Sequence, residues 1–501
     1  MRINLKISDW LRVIIVALAG LSVAAYRLID QNHPYIDGAS VALMVTLGAV
    51  LYSVSGRYSS KFPSAILVTV MLIIFVQSRV FVLIIYPESL LHHSRVTSVM
   101  FNTTMVYIIV GSIACYLGCA VAYVRYGGRR SRGFREIQGN HDQEVSFFWT
   151  VFMISVGLTL AVYYSLGYAG ATGSGAHLGF FQRYVARLVA PTAWLIMFLS
   201  AYMLHPDRRA KIYLLITAVG AYVIGLMLQG SRSGVFESLT LLLAAKVLLE
   251  GNFVLPLRQR HLMLSLIALP VVLLSFQIPT QLREHWYDSK FSLAEHLGDI
   301  LSGKTPVLGD ETMILDISYR LSFIEPTLFP IFATDLDLND VSDLVNPRTT
   351  ALSSVNRLIP GKPLGDILFT EYAFGFIYNA QDGVLAYSEN GRVDRVGYEW
   401  SMFGISYQLF GFYGGCVFIF LVTALLVKLI KVLAASKSIY GVSFGLYFMT
   451  IFIVWIRNLG IDNLIDRTAH GFAVLLIYAV LHWMLTRGAK VGSDQAYASM
   501  S

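Results

Sequence analysis

Four arginines carry the most specific chemistry in this sequence. Arg232 lies in the turn Gln229-Gly230-Ser231-Arg232-Ser233-Gly234 between two apolar runs, and Arg283 opens the stretch Arg283-Glu284-His285-Trp286-Tyr287. Arg320 follows Tyr319 and stands five residues before Glu325, and Arg457 ends an apolar run near the C-terminus. A guanidinium is planar, always charged and offers paired donors, which suits it to phosphate oxygens. Each arginine could equally pair with a carboxylate or extend along its stem to a membrane interface. At Arg232 a second feature favours phosphate. A helix starting at Ser233 or Gly234 would aim its free N–H groups and positive dipole end at the same place, with Ser231 beside it.

The acids and rings around these arginines suggest sugar chemistry. Glu325 precedes Pro326 at the end of an apolar turn, where a carboxylate can serve as a general base or simply occupy a helix terminus. Glu371, Glu399, His285 and His470 are rival bases, and the sequence leaves that choice open. Asp316 and Arg320 are four apart, the spacing of an ordinary helical ion pair. His285, Tyr319 and Tyr398-Glu399-Trp400 mix ring faces and hydroxyls with acids. That mixture suits stacking and hydrogen bonding to sugars, although Trp286 and Trp400 also fit an interfacial belt. There is no P-loop, no dinucleotide fingerprint, no HExxH and no metal ligand set of credible spacing. The expectation is a site that needs neither cofactor nor metal and binds no nucleic acid.

These residues must be positioned by a membrane protein. Of 501 residues 56% are hydrophobic and only 14% charged, far too apolar for a soluble chain of this length. Spans of about 20 apolar residues are expected near 10–29, 38–55, 63–86, 104–124, 146–167, 186–204, 211–229, 234–249, 260–278, 403–432, 440–457 and 471–486. The fold class is therefore all-α and polytopic, with about 12 transmembrane helices. Three parts follow: an N-terminal bundle over 1–278, a loop domain over 279–402 and a C-terminal group of helices over 403–501. Amphipathic stretches around 311–334 and 364–380 predict interfacial or re-entrant helices within the loop. Cys115, Cys119 and Cys416 lie in apolar runs, so buried packing is expected rather than disulfides.

Charge sets an expected orientation. Arg57/Lys61, Arg125 to Arg135, Arg208/Arg209/Lys211, Arg258/Arg260 and Lys428/Lys431/Lys437 fall on alternate connections, whereas residues 279–402 hold nine Lys/Arg against eighteen Asp/Glu. The positive-inside rule then places both termini in the cytoplasm and the acidic loop outside. Arg232, Arg283, Arg320 and Arg457 fall on the outer side, where that rule gives no reason for them.

The Gly230-Ser231-Arg232-Ser233-Gly234 turn, the large outer loop and the stretch Gly404-Ile-Ser-Tyr-Gln-Leu-Phe-Gly411-Phe-Tyr-Gly414-Gly415 together resemble the O-antigen polymerases of bacteria. The resemblance implies a glycosyltransferase of the GT-C type in the inner membrane. Such an enzyme joins undecaprenyl-diphosphate-linked oligosaccharide repeats on the periplasmic side, alongside membrane lipids, a chain-length regulator and a flippase. It further implies that Arg232, Arg283 and Arg320 engage the lipid diphosphate. Family members often carry an acid where Ser406 stands here. The related O-antigen ligases share the architecture. A flippase is also polytopic, but it should show inverted repeats and charged or broken helices at the bilayer midplane.

Overall fold

The computed structural model describes residues 3–29, 33–58, 61–90, 94–124, 141–165, 191–228, 234–251, 253–257, 322–332, 352, 401–435, 438–458, 468–469 and 471–484. In chain order these form β1 (Ile3–Lys6), α1 (Ile7–Leu28), α2 (Gly38–Ser53), α3 (Ser64–Ile85), α4 (Ser98–Val124), α5 (His141–Ser165), α6 (Pro191–Leu204), α7 (Ile212–Leu228) and α8 (Gly234–Glu250). There follow β2 (Val254–Leu257), α9 (Glu325–Ile331), α10 (Met402–Ala434), α11 (Ile439–Asn458) and α12 (Gly471–Met484). Among the described residues seven helices are long and apolar enough to cross a membrane: those beginning at Ile7, Gly38, Ser64, Ser98, Asp142, Met402 and Ile439. The protein is a helical, multi-pass membrane protein. Helices α6, α7 and α12 are apolar but shorter, and the expected span 260–278 lies outside the described residues.

Two helices start five or six residues earlier than hydropathy predicts, for a physical reason. Expected from residue 104, α4 begins at Ser98. Its early residues include Asn102, Thr103 and Thr104, but the Asn102 amide donates to both Asp37 carboxylate oxygens at 3.2 and 3.3 Å, so that amide is satisfied by the start of α2. Asp37 caps α2 by accepting from the Ser40 N–H at 2.9 Å. That bond, joined by the side chains of Asn102 and Ser40, holds the Asp37 carboxyl below the usual carboxylate range. The start of α5 brings Asp142 and Glu144 into its first turn, where acids complement the helix dipole.

Helix ends gather on two faces. On the face of the N-terminus, β1 and β2 pair antiparallel, with Ile3 opposite Leu257 and Lys6 opposite Val254. Asp142 meets His205 at 3.0 Å and Lys211 at 2.6 Å, and Arg208 meets Glu250 at 2.9 Å. These contacts join the start of α5, the α6–α7 connection and the end of α8, as strict alternation of spans requires. The opposite face carries His33, Tyr35, Asp37, Ser89 and Asn102.

The centre is built where α10 packs along α4. At 33 residues a straight helix would run about 50 Å, well past an apolar core of about 30 Å. Instead α10 bends at Gly411, whose φ of 67° costs glycine little and other residues more. The bend is sharp. Tyr107 of α4 packs its ring 5.2 Å from both Tyr407 and Phe412, and Gly111 faces both Phe403 and Ile419. Residues on either side of Gly411 thus meet the same residues of α4, so 402–410 runs out and the chain doubles back through 412–434. Gly415 confirms the fold-back, because a Cβ there would collide with the Tyr107 hydroxyl and lie 2.8 Å from the Ser406 carbonyl oxygen. In a straight helix nine residues would separate them by about 13.5 Å. Gly111 is the midpoint of α4, so the start of α10 sits deep in the bundle.

Candidate functional site

The short helix α9 enters the bundle at the same depth and meets a break in α3. Residues Ile73–Gln77 of α3 form a π-helical turn, which loosens the regular ladder and is a recurrent feature of functional sites. The Phe75 carbonyl, midway along α3, accepts the backbone N–H of Phe323 at 3.0 Å. The two rings stack with centroids 4.6 Å apart, so both backbone and side chain of 323 are docked there.

One turn on, Arg79 and Glu325 form a buried ion pair with side chains 0% and 2% exposed. The guanidinium donates to Glu325 Oε1 through Nε at 3.1 Å and through Nη2. It also donates to the Ser89 carbonyl at 2.8 Å and to the Ser89 hydroxyl at 3.3 Å. Glu325 Oε2 accepts from the Ser322 hydroxyl. Both carboxylate oxygens are therefore engaged, and the charges are compensated as burial demands. On its other side α9 meets α10: the Thr327 and Ser401 hydroxyls are 2.9 Å apart, and Ser401 caps α10 by accepting from the Gly404 N–H at 3.0 Å. Gly404 lies so close to Pro326 that a Cβ would fall on its carbonyl oxygen.

Tyr35 and His33 brace this cluster from the α1–α2 connection. The Tyr35 hydroxyl donates to the Pro87 carbonyl at 2.6 Å, and burial pushes its phenol well above the usual range. His33 Nε2 lies 2.9 Å from the Leu83 carbonyl, an acceptor only, which assigns the proton to Nε2. Nδ1 then accepts the N–H groups of Ile36 at 3.0 Å and Tyr35 at 3.4 Å.

Protonating Nδ1 would turn that acceptor into a donor facing two donors. Burial lowers the His33 pKa below 6.5, while the Leu83 hydrogen bond opposes the shift. The unfolded chain therefore takes up this proton first as pH falls. His33 contributes its full stability above about pH 6.5 and loses it as the pH drops from there towards its lower folded-state value. Thermal melts of the detergent-purified protein should weaken over that window, and the His33→Gln protein should show a shallower loss. Parallel pH profiles for the two proteins would remove His33 from the explanation.

Of the residues expected to act, Glu325 is placed in the interior against Arg79, and Arg457 lies in the last turn of α11. Ser231, Arg232, Arg283, His285, Tyr319, Arg320 and Glu399 lie outside the described residues. Arg79 stands inside an apolar run, and its partner lies 246 positions away, beyond the reach of any local spacing in the sequence. Among the described residues no group of three or more His, Cys, Asp or Glu could hold a metal ion. No family model, curated protein or solved structure matches the chain. The functional reading therefore rests on the site's own chemistry and on the motifs that resemble the polymerase family.

Proposed function

We propose that the protein is an inner-membrane glycosyltransferase of the GT-C type. It would have about twelve spans and both termini in the cytoplasm, and it would join undecaprenyl-diphosphate-linked oligosaccharide repeats on the periplasmic face. The observation that carries this reading is the docking of α9 against Gly404. The long connection before α10 returns into the bundle at the glycine-rich stretch that resembles the polymerases. Substitution takes place at the anomeric carbon of the donor repeat: the bond to the lipid diphosphate breaks as a hydroxyl of the acceptor repeat bonds to that carbon. Arg232, Arg283 and Arg320, with Ser231 and the helix N-terminus behind it, stabilise the negative charge growing on the diphosphate. Arg457, Tyr319 and Glu399 hold the sugars. Glu325 is engaged by Arg79, so the proton acceptor is drawn from His285, Glu371, Glu399 and His470.

A second reading has an observation of its own. A buried ion pair, a π turn and two short helical segments meeting inside the bundle are features expected of a lipid-oligosaccharide flippase. Reconstitution separates the readings. Purified protein in liposomes, given two lipid-linked repeats and no core lipid, should lengthen the glycan, and should do so equally in EDTA. Transbilayer movement of a labelled repeat without lengthening would replace the polymerase with a flippase. A product formed only when lipid A core is added would make it a ligase.

A further inference from the structure

Arg79 and Glu325 have more contacts than packing alone would require, and those of Glu325 all bear on the same short segment. Two charges are costly to bury, and well-packed apolar side chains can fill such a space without that cost. Here the pair ties α9 to α3, and Ser89 braces the guanidinium from the α3–α4 connection. Ser322 ties the carboxylate to the residues just before α9. Phe323 docks on the π turn through its backbone, and Thr327 and Pro326 meet Ser401 and Gly404 of α10. The segment is thus pinned to two helices at once. It is also the continuation of the chain from Tyr319 and Arg320, which stand three and two residues before Ser322.

We infer that Arg79 and Glu325 are a positioning pair that holds α9 against α3 and the start of α10 in the arrangement the lipid-linked substrate requires, and that Glu325 does not take the acceptor's proton. What is positioned rests on the polymerase reading; the clamp itself does not. Both oxygens of Glu325 are already occupied, and the neighbours that hold it are the ones that hold α9. The pair therefore acts through the placement of the segment, and a different attachment of the segment should replace it.

The test uses the full chain with Cys115, Cys119 and Cys416 replaced by alanine and the reporter substitution Leu328→Cys, at a position that is 0% exposed. Maleimide should label the reporter thiol about tenfold faster in Arg79→Met and Glu325→Gln than in the parent, because local opening exposes it. Each of these variants should also lose kcat. The double variant Arg79→Met/Glu325→Gln leaves no unpaired charge, and it should regain both protection and most of kcat. A Thr327→Cys/Ser401→Cys pair, made without the reporter, should restore kcat to Arg79→Met when oxidised and lose it on reduction. A double variant that protects the reporter yet stays as inactive as Glu325→Gln would make Glu325 the proton acceptor and overturn the inference. Equal labelling in all proteins would overturn the clamp. If labelling follows the pair but even the parent extends no lipid-linked repeat, the clamp stands and the polymerase reading fails.

Discussion

Arg232→Ala and Arg283→Ala proteins should insert and accumulate like the unsubstituted chain, yet leave single repeats on the lipid carrier. Arg232 falls in sequence between two apolar helices, and Arg283 follows the next expected outgoing span, so alternation is expected to bring both to the same side. On the proposed polymerase reading, the lipid diphosphate sits on that side. As the sugar–phosphate bond breaks, charge grows on oxygens that paired guanidinium donors can meet. Loss of one such donor typically costs about 10² to 10³ in rate, or about 2.7–4 kcal/mol. Arg232→Lys should be severely impaired as well, because an ammonium keeps the charge without the planar fork. The readout is glycan length on the lipid carrier after a fixed reaction time. Polymer of normal modal length from either alanine variant would remove these residues from the mechanism and turn attention to Arg320 and Arg457.

Much of the helix pattern was legible because a bilayer imposes one strong constraint, a long apolar stretch for each crossing. Eleven of the expected spans fall on described helices, of which seven are long and apolar enough to cross a membrane, and the expected span 260–278 lies outside the described residues. The errors have local causes. The Asn102-Thr103-Thr104 stretch early in α4 and the polar first turn of α5 interrupt the hydropathy, yet both are helical because Asn102 finds Asp37 and because acids favour a helix N-terminus. The fold-back of α10 was hidden because Met402 to Val427 carries no charge and reads as one predominantly apolar run. Only Gly411 marks the bend, and a glycine in an apolar run also reads as ordinary close packing.

The site was less legible than the fold. The amphipathic stretch 311–334 was read as interfacial or re-entrant, and the described part, 322–332, lies inside the bundle with Phe323, Ile324, Leu328 and Phe329 fully buried. Glu325 drew attention as a lone carboxylate, but its counter-ion is in another span, and one sequence carries no trace of which distant residues touch. The π turn in α3 has no signature either, since Ile-Ile-Phe-Val-Gln reads as plain span. The glycines of the 404–415 stretch, noticed for their resemblance to a family, have structural duties here: Gly404 admits Pro326, Gly411 makes the bend and Gly415 admits Tyr107. Where the resembling family often carries an acid, Ser406 lies buried in that elbow.

Gly404→Val should be the most disruptive single substitution in the described structure. A Cβ at 404 would fall on the Pro326 carbonyl, which is backbone inside a proline-bearing helix and has no rotamer by which to yield. Relief requires α9 and the start of α10 to separate. Separation breaks the Thr327–Ser401 hydrogen bond and pulls on the Phe323–Phe75 bond and the Arg79–Glu325 pair. Overpacking a close-packed interior typically costs about 1–3 kcal/mol, and a clash with backbone belongs at or above the top of that range. Gly20→Ala provides the contrast. Nothing lies within 4 Å of its added methyl, and alanine favours a helix over glycine by up to about 1 kcal/mol, so that protein should melt at or above the parent. In detergent melts Gly404→Val should fall several degrees below the parent, and the Leu328→Cys reporter should label readily in it. If Gly404→Val melts with Gly20→Ala and keeps that reporter protected, α9 does not dock where the structure puts it, and the clamp built on that docking goes with it.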